Sequence, residues 1–184
     1  MIKFDIGDIV LYKTEVTLAN LFKKKNDGKR HLGYSMSQYL IKFMTKSPYT
    51  HIGIVLETGV KEVVIGQALD HFNINNEYFY MQTLEKEKRI HVLRVPKLTD
   101  AQKMGIRAEG YGMEGFDYDW KGIILIGVYL LTGKTLFKDN AKKYFCSEAV
   151  DQILRIVGVK LFKKASRNVS PADFDKCTLL KDVF

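Results

Sequence analysis

The chain carries the segment YFCSEAVDQIL at residues 144–154, which has the apolar spacing of an amphipathic helix. Its apolar residues, together with one just beyond it, fall on a single helical face: Val150, Ile153, Leu154 and Val157. Cys146 comes before this apolar series and is expected at the entrance of the helix, away from the apolar face. The rest of the chain is interpreted by asking what it could bring to this cysteine.

The first turn of a helix offers chemistry to a cysteine. Its backbone N–H groups have no partner within the helix, and the helix dipole places partial positive charge there. Both effects favour a thiolate over a thiol, so Cys146 is a candidate nucleophile. The alternative is a small buried cysteine at a helix start, without a chemical role.

Composition indicates one folded domain that prefers anionic surroundings. The chain has 184 residues, of which 46% are hydrophobic, enough for one compact core. We therefore expect a single domain over residues 1–184, with a basic loop insertion around residues 23–34. The net charge of +8 favours nucleic acid, anionic lipid or an anionic wall polymer, contacted through the basic loops. No specific nucleic-acid motif is present in the sequence.

The two cysteines, Cys146 and Cys177, are too few for a disulfide framework, and no Cys/His spacing typical of a metal site occurs. We expect no cofactor and no metal. The first ten residues do not resemble a signal peptide, and the longest apolar run, Gly122–Leu131, is short for a bilayer span. The expected location is the cytoplasm after synthesis, with later release or association with a virion left open.

Periodicity predicts an α+β chain. Strands are expected at residues 9–12, 51–56, 62–68 and 89–95, the middle two forming a hairpin. Helices are expected at residues 17–22, 35–44, 99–113 and 120–131, with a polar wrapping segment at 70–87. Ser35 is the expected N-cap of the second helix, whose inward residues would be Tyr39, Leu40, Phe43 and Met44. Thr99 is the expected N-cap of the third helix.

A nucleophilic cysteine needs a base, and His51 is the best candidate. It opens a strand directly after the break made by Pro48, so a rigid sheet would hold it. In an antiparallel hairpin the start of one strand lies beside the end of its partner, which places Gln67 next to His51. The amide oxygen of Gln67 could orient the imidazole, as a neutral counterpart of a carboxylate.

The other titratable candidates are weaker. His31 falls in the basic loop and is expected to be solvated, whereas His71 and His91 are expected to be structural. Glu57 and Glu62 lie closer to the turn of the hairpin and are poorer orienting groups than Gln67. The predicted catalytic set is therefore Cys146, His51 and Gln67. The backbone N–H of Cys146 could form part of an oxyanion hole.

Three motifs in this order carry a family resemblance: Gly7-Asp8-Ile9, then SPYTHIGI at residues 47–54, then YFCSE at 144–148. Together they resemble the circularly permuted branch of the NlpC-type papain-like superfamily, the YiiX-like permuted papain-like amidases, which are related to lecithin retinol acyltransferase-like proteins. The resemblance implies an α+β, circularly permuted papain-like (NlpC-type) fold, whose antiparallel sheet packs against helices. It also implies that Cys146 is the nucleophile and His51 the base.

The same resemblance implies function. Members hydrolyse amide bonds, often in peptidoglycan peptides, and some transfer acyl groups or hydrolyse esters on lipids. The leading expectation is a cysteine hydrolase that cleaves an amide through an acyl-enzyme on Cys146. Relatives commonly carry a glutamate or another polar group where this chain has Gln67. Gln67, the basic loops and the apolar segment 120–131 leave open a catalytically silent binding or virion component, and lipid acyl chemistry is a third alternative.

Overall fold

The computed structural model describes residues 2–14, 32–134 and 143–183. Its strands, in chain order, are β1 Ile9–Lys13, β2 Tyr49–Gly59, β3 Glu62–Ala68, β4 Phe72–Asn76, β5 Ile90–Arg94, β6 Asp117–Tyr118, β7 Lys143–Tyr144 and β8 Lys181–Asp182. Its helices are α1 Leu32–Thr45, α2 Tyr78–Lys86, α3 Asp100–Gly112, α4 Trp120–Thr132, α5 Cys146–Ile156 and α6 Pro171–Asp175, with one 3-10 turn at Ser166–Asn168.

Six strands form an antiparallel sheet in the order β4-β3-β2-β1-β5-β8. The central pair joins β1 to β2, with Val10 opposite Gly53. The β2–β3 hairpin closes at Gly59 opposite Glu62 and opens at Gly53 opposite Gln67. The sheet is therefore antiparallel, as predicted, and packs against helices.

Alternation along β2 gives the sheet two different faces. Ile52, Ile54 and Leu56 belong to the main core, to which α1, α3, α4, α5 and α6 contribute buried side chains. Val55 belongs to a smaller core on the other face, covered by Met81 and Leu84 of α2. Side chains of odd-numbered residues in this part of β2 thus face α2, and the even-numbered ones face the large helical layer.

The predicted elements are largely confirmed. The strand at the N-terminus, the β2–β3 hairpin, the strand at residues 90–94 and the helices at α3 and α4 all form. Thr99 caps α3 as expected: its hydroxyl accepts from the backbone N–H of Gln102. The polar segment 70–87 contains both a strand, β4, and a helix, α2. Gly158, with a positive φ of 81°, follows the end of α5.

The prediction for α1 needs correction. The helix begins at Leu32, three residues before Ser35, so Ser35 lies inside it and is not the N-cap. Of the four residues expected to face inward, Phe43 and Leu40 are exposed, by 68% and 36%, whereas Tyr39 and Met44 are partly buried and Met44 lies against α4. Ile41, which was not expected to face inward, is buried, because α1 packs on both the sheet and α4.

Some expectations fall outside the described residues. The structure does not describe residues 17–22, where a helix is expected, or residues 23–31, which make up most of the basic loop. Residues 32–34, expected at the end of the loop, lie in α1. Among the helices that the structure describes, none has the length and apolar character needed to cross a membrane.

Candidate active site

Cys146 is the first residue of α5, as the sequence predicted. Phe145 before it is extended, with φ −92° and ψ 168°, and its carbonyl accepts from the N–H of Ala149 at 3.0 Å. The side chain of Glu148 turns back toward the N–H of Phe145 at 3.4 Å. These contacts define the helix start and leave the first-turn amides near the thiol.

The burial of Cys146 differs from the expectation. Its exposed fraction is 1%, and it packs in the main core. The expectation that this cysteine lies off the apolar face of α5 is wrong: residue 146 precedes Val150 by four positions and Ile153 by seven, so the three side chains share one helical face. The sheet and the neighbouring helices cover this helix start, and every residue from Cys146 to Asp151 is buried.

Three backbone amides contact the thiol. They belong to Ile52, Ser147 and Cys146 itself, and each lowers the pKa of the thiol by stabilising the thiolate. Burial opposes them and is the larger effect, so the pKa of Cys146 is raised from 9.0 to about 12. The thiol is therefore protonated at neutral pH in this conformation. The helix dipole does not give the low pKa that its position alone would favour.

The amide of Ile52 can reach the thiol because of where the sheet pairing ends. The β2–β3 ladder stops at Gly53 opposite Gln67, whereas the β1–β2 ladder continues to Tyr49. Ile52 therefore lies in a part of β2 that is paired on one side only. The start of α5 lies at this interruption, where its cysteine contacts a strand amide beyond the end of the β2–β3 pairing.

His51 and Gln67 are brought together as predicted. The Nε2 atom of His51 lies 2.9 Å from Oε1 of Gln67, and both residues are buried. Burial lowers the pKa of His51 from 6.5 to about 4, while the bond to Gln67 acts weakly in the opposite direction. The ring of Tyr12, the residue opposite His51 in β1, lies 5.3 Å away. At neutral pH this imidazole is uncharged.

The thiol and the imidazole approach β2 from different sides. Tyr12 packs against the smaller core, so His51 faces α2, while Cys146 belongs to the main core. The strand links the two groups, because one of the amides at the thiol belongs to Ile52, the residue after His51.

Glu77 joins this arrangement, and the sequence analysis missed it. Nε2 of Gln67 donates to Oε1 of Glu77 at 2.9 Å. Glu77 is half-buried directly before α2, and its N–H donates to the carbonyl of Val63 in β3. Burial raises the pKa of Glu77, and the bond from Gln67 partly opposes this. The signal in the sequence was weak: an acidic residue within the polar segment 70–87, which was expected to wrap the sheet edge.

Of the other histidines, His91 has the structural place expected of it, whereas His71, also expected to be structural, is exposed. His71 is exposed at the end of the β3–β4 turn. His91 lies between two carboxylates, with Nδ1 3.3 Å from Asp175 and Nε2 2.6 Å from Asp182, and ties β5 to the C-terminal elements. His31 is outside the described residues.

The glutamates judged poorer orienting groups do not reach His51. Glu57 accepts from the hydroxyl of Tyr111 at 2.8 Å and pairs with Arg107 at 2.6 Å. Glu62 is exposed at the hairpin turn. In the parts of the chain that the structure describes, no three His, Cys, Asp or Glu side chains are grouped so that they could hold a metal ion.

Comparisons with solved structures give the chain structural relatives. No family model matches the chain, and no curated protein sequence matches it. The solved structure of the metalloprotein YiiX (DUF1105) from Escherichia coli O157:H7 is similar, with a TM-score of 0.63 over 98% of this chain and 96% of that one. The two sequences are 15% identical, so the similarity concerns the fold. The chain thus has an α+β fold like that of YiiX, with an antiparallel sheet and helices.

Proposed function

We propose that this protein is a cysteine hydrolase of the permuted papain-like class, with Cys146 as nucleophile and His51 as base. One observation carries the proposal: three backbone amides converge on a thiol at a helix start, and one of them follows His51 in the strand. A buried cysteine with only a packing role has no need of such donors. They are the groups that stabilise a thiolate or the oxyanion of a tetrahedral intermediate.

The reaction begins from a neutral pair. As the sulfur of Cys146 attacks the substrate carbonyl carbon, the thiol proton passes to neutral His51, and the carbonyl oxygen becomes an oxyanion held by backbone N–H groups. Collapse of this intermediate breaks the C–N bond, and His51 returns the proton to the leaving amine. Water then attacks the thioester, again with His51 as base, and releases the acid and the free thiol.

Burial adds a requirement to this mechanism. The thiol is 1% exposed, and the imidazole is 5% exposed on the other side of β2. Substrate binding must therefore uncover the thiol and bring the two side chains together at the open end of the β2–β3 pairing. Such a closed resting state is compatible with catalysis, because hydrogen bonds in unliganded active sites often form only in the substrate complex.

The name of the structural relative raises the question of a metal. YiiX is called a metalloprotein. The described residues of this chain do not fit that role, since no three potential ligands are grouped together. The proposed reaction uses groups of the protein and water.

The proposed substrate is an amide, with peptidoglycan peptides as the first class to test. The net charge of +8 suits a polymer that carries carboxylates and phosphates. Acyl esters form the second class, because a thioester intermediate also forms from an ester. Both classes acylate Cys146 as a thioester, so the mass of the Cys146 peptide reports on either class.

The test is to trap the acyl-enzyme. The protein is mixed with muropeptides or with short-chain acyl esters of p-nitrophenol, quenched in acid, and digested for peptide mass spectrometry. We expect the acyl mass on Cys146, none on Cys177, and loss of the adduct and of turnover in Cys146→Ala. His51→Ala should slow acylation by about 10²–10⁴-fold, the usual contribution of a general base.

Cys177→Ala is the matched control, because Cys177 is a free, partly exposed thiol outside the site. This variant should retain full turnover. Acylation that is equal at both cysteines, or unaffected by His51→Ala, would contradict the proposal. Thermal unfolding of each variant shows whether a loss of activity reflects loss of the fold.

A second candidate function is binding without catalysis. The observation in its favour is the deep burial of Cys146, which raises its pKa to about 12. A folded protein that shows no acylation with any substrate in the panel, and whose Cys146 reacts with iodoacetamide only on unfolding, would favour this role.

A further inference from the structure

We propose that Glu77 is a positioning residue: acting through Gln67, it sets which nitrogen of His51 carries the proton. The inference concerns the geometry of the hydrogen-bonded series His51–Gln67–Glu77. Its catalytic consequence rests on the proposed function, whereas the tautomer itself does not. The hydrogen-bonded series connects three parts of the fold: His51 lies in β2, Gln67 lies in β3, and Glu77 directly precedes α2.

The first step is the orientation of the amide. An ionised carboxylate only accepts hydrogen bonds, whereas the two ends of a glutamine amide differ: its NH₂ donates and its oxygen accepts. The 2.9 Å contact with Glu77 therefore requires the NH₂ of Gln67 on that side. The amide oxygen must then point to His51, as it does at 2.9 Å.

The orientation of the Gln67 amide in turn determines the tautomer of the His51 imidazole. The oxygen of Gln67 has no hydrogen to give, so Nε2 of His51 must be the donor in their contact. An uncharged imidazole carries one N–H, and the low pKa of His51 keeps it uncharged at neutral pH. Nδ1 is consequently the nitrogen with the lone pair, and it is the atom that can take a proton from a thiol.

The third step is the rigidity of the carboxylate. Gln67 is 6% exposed, so water competes poorly for its amide. Glu77 is held by its N–H bond to Val63 at 2.8 Å, and α2 behind it is anchored by buried Met81 and Leu84. Without an acceptor-only partner at residue 77, the two orientations of the Gln67 amide would differ less in energy, and the second imidazole tautomer would gain population.

The hydrogen-bonded series also explains why residue 67 is a glutamine. A glutamate there would place two carboxylates about as close as the present 2.9 Å contact, and both could not remain ionised. The negative charge is instead supplied by Glu77, the next residue in the hydrogen-bonded series. The sequence expectation of a neutral orienting group is therefore incomplete: the neutral group is itself oriented by a carboxylate.

The test reads the tautomer directly by NMR of protein labelled with ¹⁵N in histidine, at about pH 7. In the unaltered protein, His51 should show a protonated Nε2 and an unprotonated Nδ1. In Glu77→Gln, an isosteric change, residue 77 can donate or accept, and a second population with protonated Nδ1 should appear. In Glu77→Lys, residue 77 can only donate, so the amide should turn and the tautomer should invert.

Glu62→Gln and Glu62→Lys are the matched controls, because Glu62 lies on the same strand as Gln67 but is exposed at the hairpin turn. They change the net charge equally and should leave the His51 signals unchanged. Acylation of Cys146 should slow by about tenfold or more in Glu77→Gln, within the range of general-base contributions, but not in Glu62→Gln.

The outcomes separate the two proposals. If His51 keeps one tautomer, with protonated Nε2, in both Glu77 variants, the positioning role is wrong whatever the protein catalyses. If the tautomer responds to Glu77 but the unaltered protein never acylates Cys146, the positioning role stands and the hydrolase proposal fails. An unaltered protein whose His51 carries its proton on Nδ1 would overturn the inference at once.

Discussion

At the scale of single residues, burial controls the chemistry of the site more strongly than local charge. Cys146 has three amide donors and a helix start, yet burial raises its pKa to about 12. His51 has an orienting amide, yet burial lowers its pKa to about 4. Removing an ionisable group from water disfavours its charged form, whichever sign the charge has. Both shifts make the pair neutral at rest.

The low pKa of His51 makes stability depend on pH. Its folded value of about 4 lies below the ordinary value of 6.5, so between these values the unfolded chain binds a proton that the folded chain does not. Stability is therefore lost as pH falls through this window. From about pH 7.5 to about pH 5 we expect the histidine to reduce the free energy of unfolding by about 2 kcal/mol.

The measurement is urea unfolding of the unaltered protein and of His51→Gln at both pH values. The variant should lack the histidine contribution and show only the pH effect of the other groups. His71→Gln is the control, because it makes the same substitution at an exposed histidine outside the site. An identical pH dependence in the unaltered protein and His51→Gln would contradict a buried, neutral imidazole.

At the scale of elements, close packing of helices on the sheet holds β2 in place. Helix α3 crosses β2 at Gly110, where an added Cβ would lie 2.7 Å from Cδ1 of Leu56. Leu56 is fully buried, so its side chain has little room to move aside. Two residues further along the same helix, Gly112 has no atom within 4 Å of the corresponding position. Alanine substitutions at these two glycines therefore distinguish the effect of core packing on stability from the effect of helix propensity.

Gly110→Ala should destabilise the protein by about 1–3 kcal/mol, because overpacking of the core exceeds the gain in helix propensity. Gly112→Ala should change stability by no more than about 0.5 kcal/mol, since it lies at the helix end and meets no side chain. Chemical denaturation of the two variants provides the comparison. Equal stabilities would show that α3 does not pack against Leu56 as closely as the structure indicates.

At the scale of the whole molecule, a buried ion pair connects distant parts of the chain. Asp8, 1% exposed before β1, accepts two hydrogen bonds from Arg94 at the end of β5, at 2.7 and 2.6 Å. Arg94 also donates to the carbonyl of Lys3. These bonds join residues 86 positions apart and hold the N-terminal strand between β2 and β5.

Asp8→Ala should therefore cost about 2–4 kcal/mol of unfolding free energy, somewhat below the usual loss for a fully buried pair because Arg94 is 36% exposed. Glu87→Ala, which breaks the exposed pair with Arg89, should cost at most about 1 kcal/mol. Equilibrium denaturation at neutral pH measures both. A loss in Asp8→Ala no larger than in Glu87→Ala would rule out this structural role.

The parts of the fold that could be predicted are those that depend on neighbours in sequence. Alternation identified the β2–β3 hairpin, and antiparallel register then placed Gln67 near His51, where it forms a hydrogen bond. Helical periodicity placed Cys146 at the first position of α5. In each case a period of two or of 3.6 residues carries the information, so no distant contact is needed. The catalytic roles of these residues stay predictions.

Other properties of the site depend on which distant segments meet. The sequence specifies that Cys146 begins a helix, but its burial and raised pKa follow from the packing of that helix against β2. The sequence specifies a strand at Ile52, but the amide of Ile52 reaches the thiol because the β2–β3 pairing ends at Gly53 and does not include Ile52. Glu77 joins His51 through Gln67 because β4 and α2 turn it toward the sheet. These features arise from long-range packing, which no local period encodes.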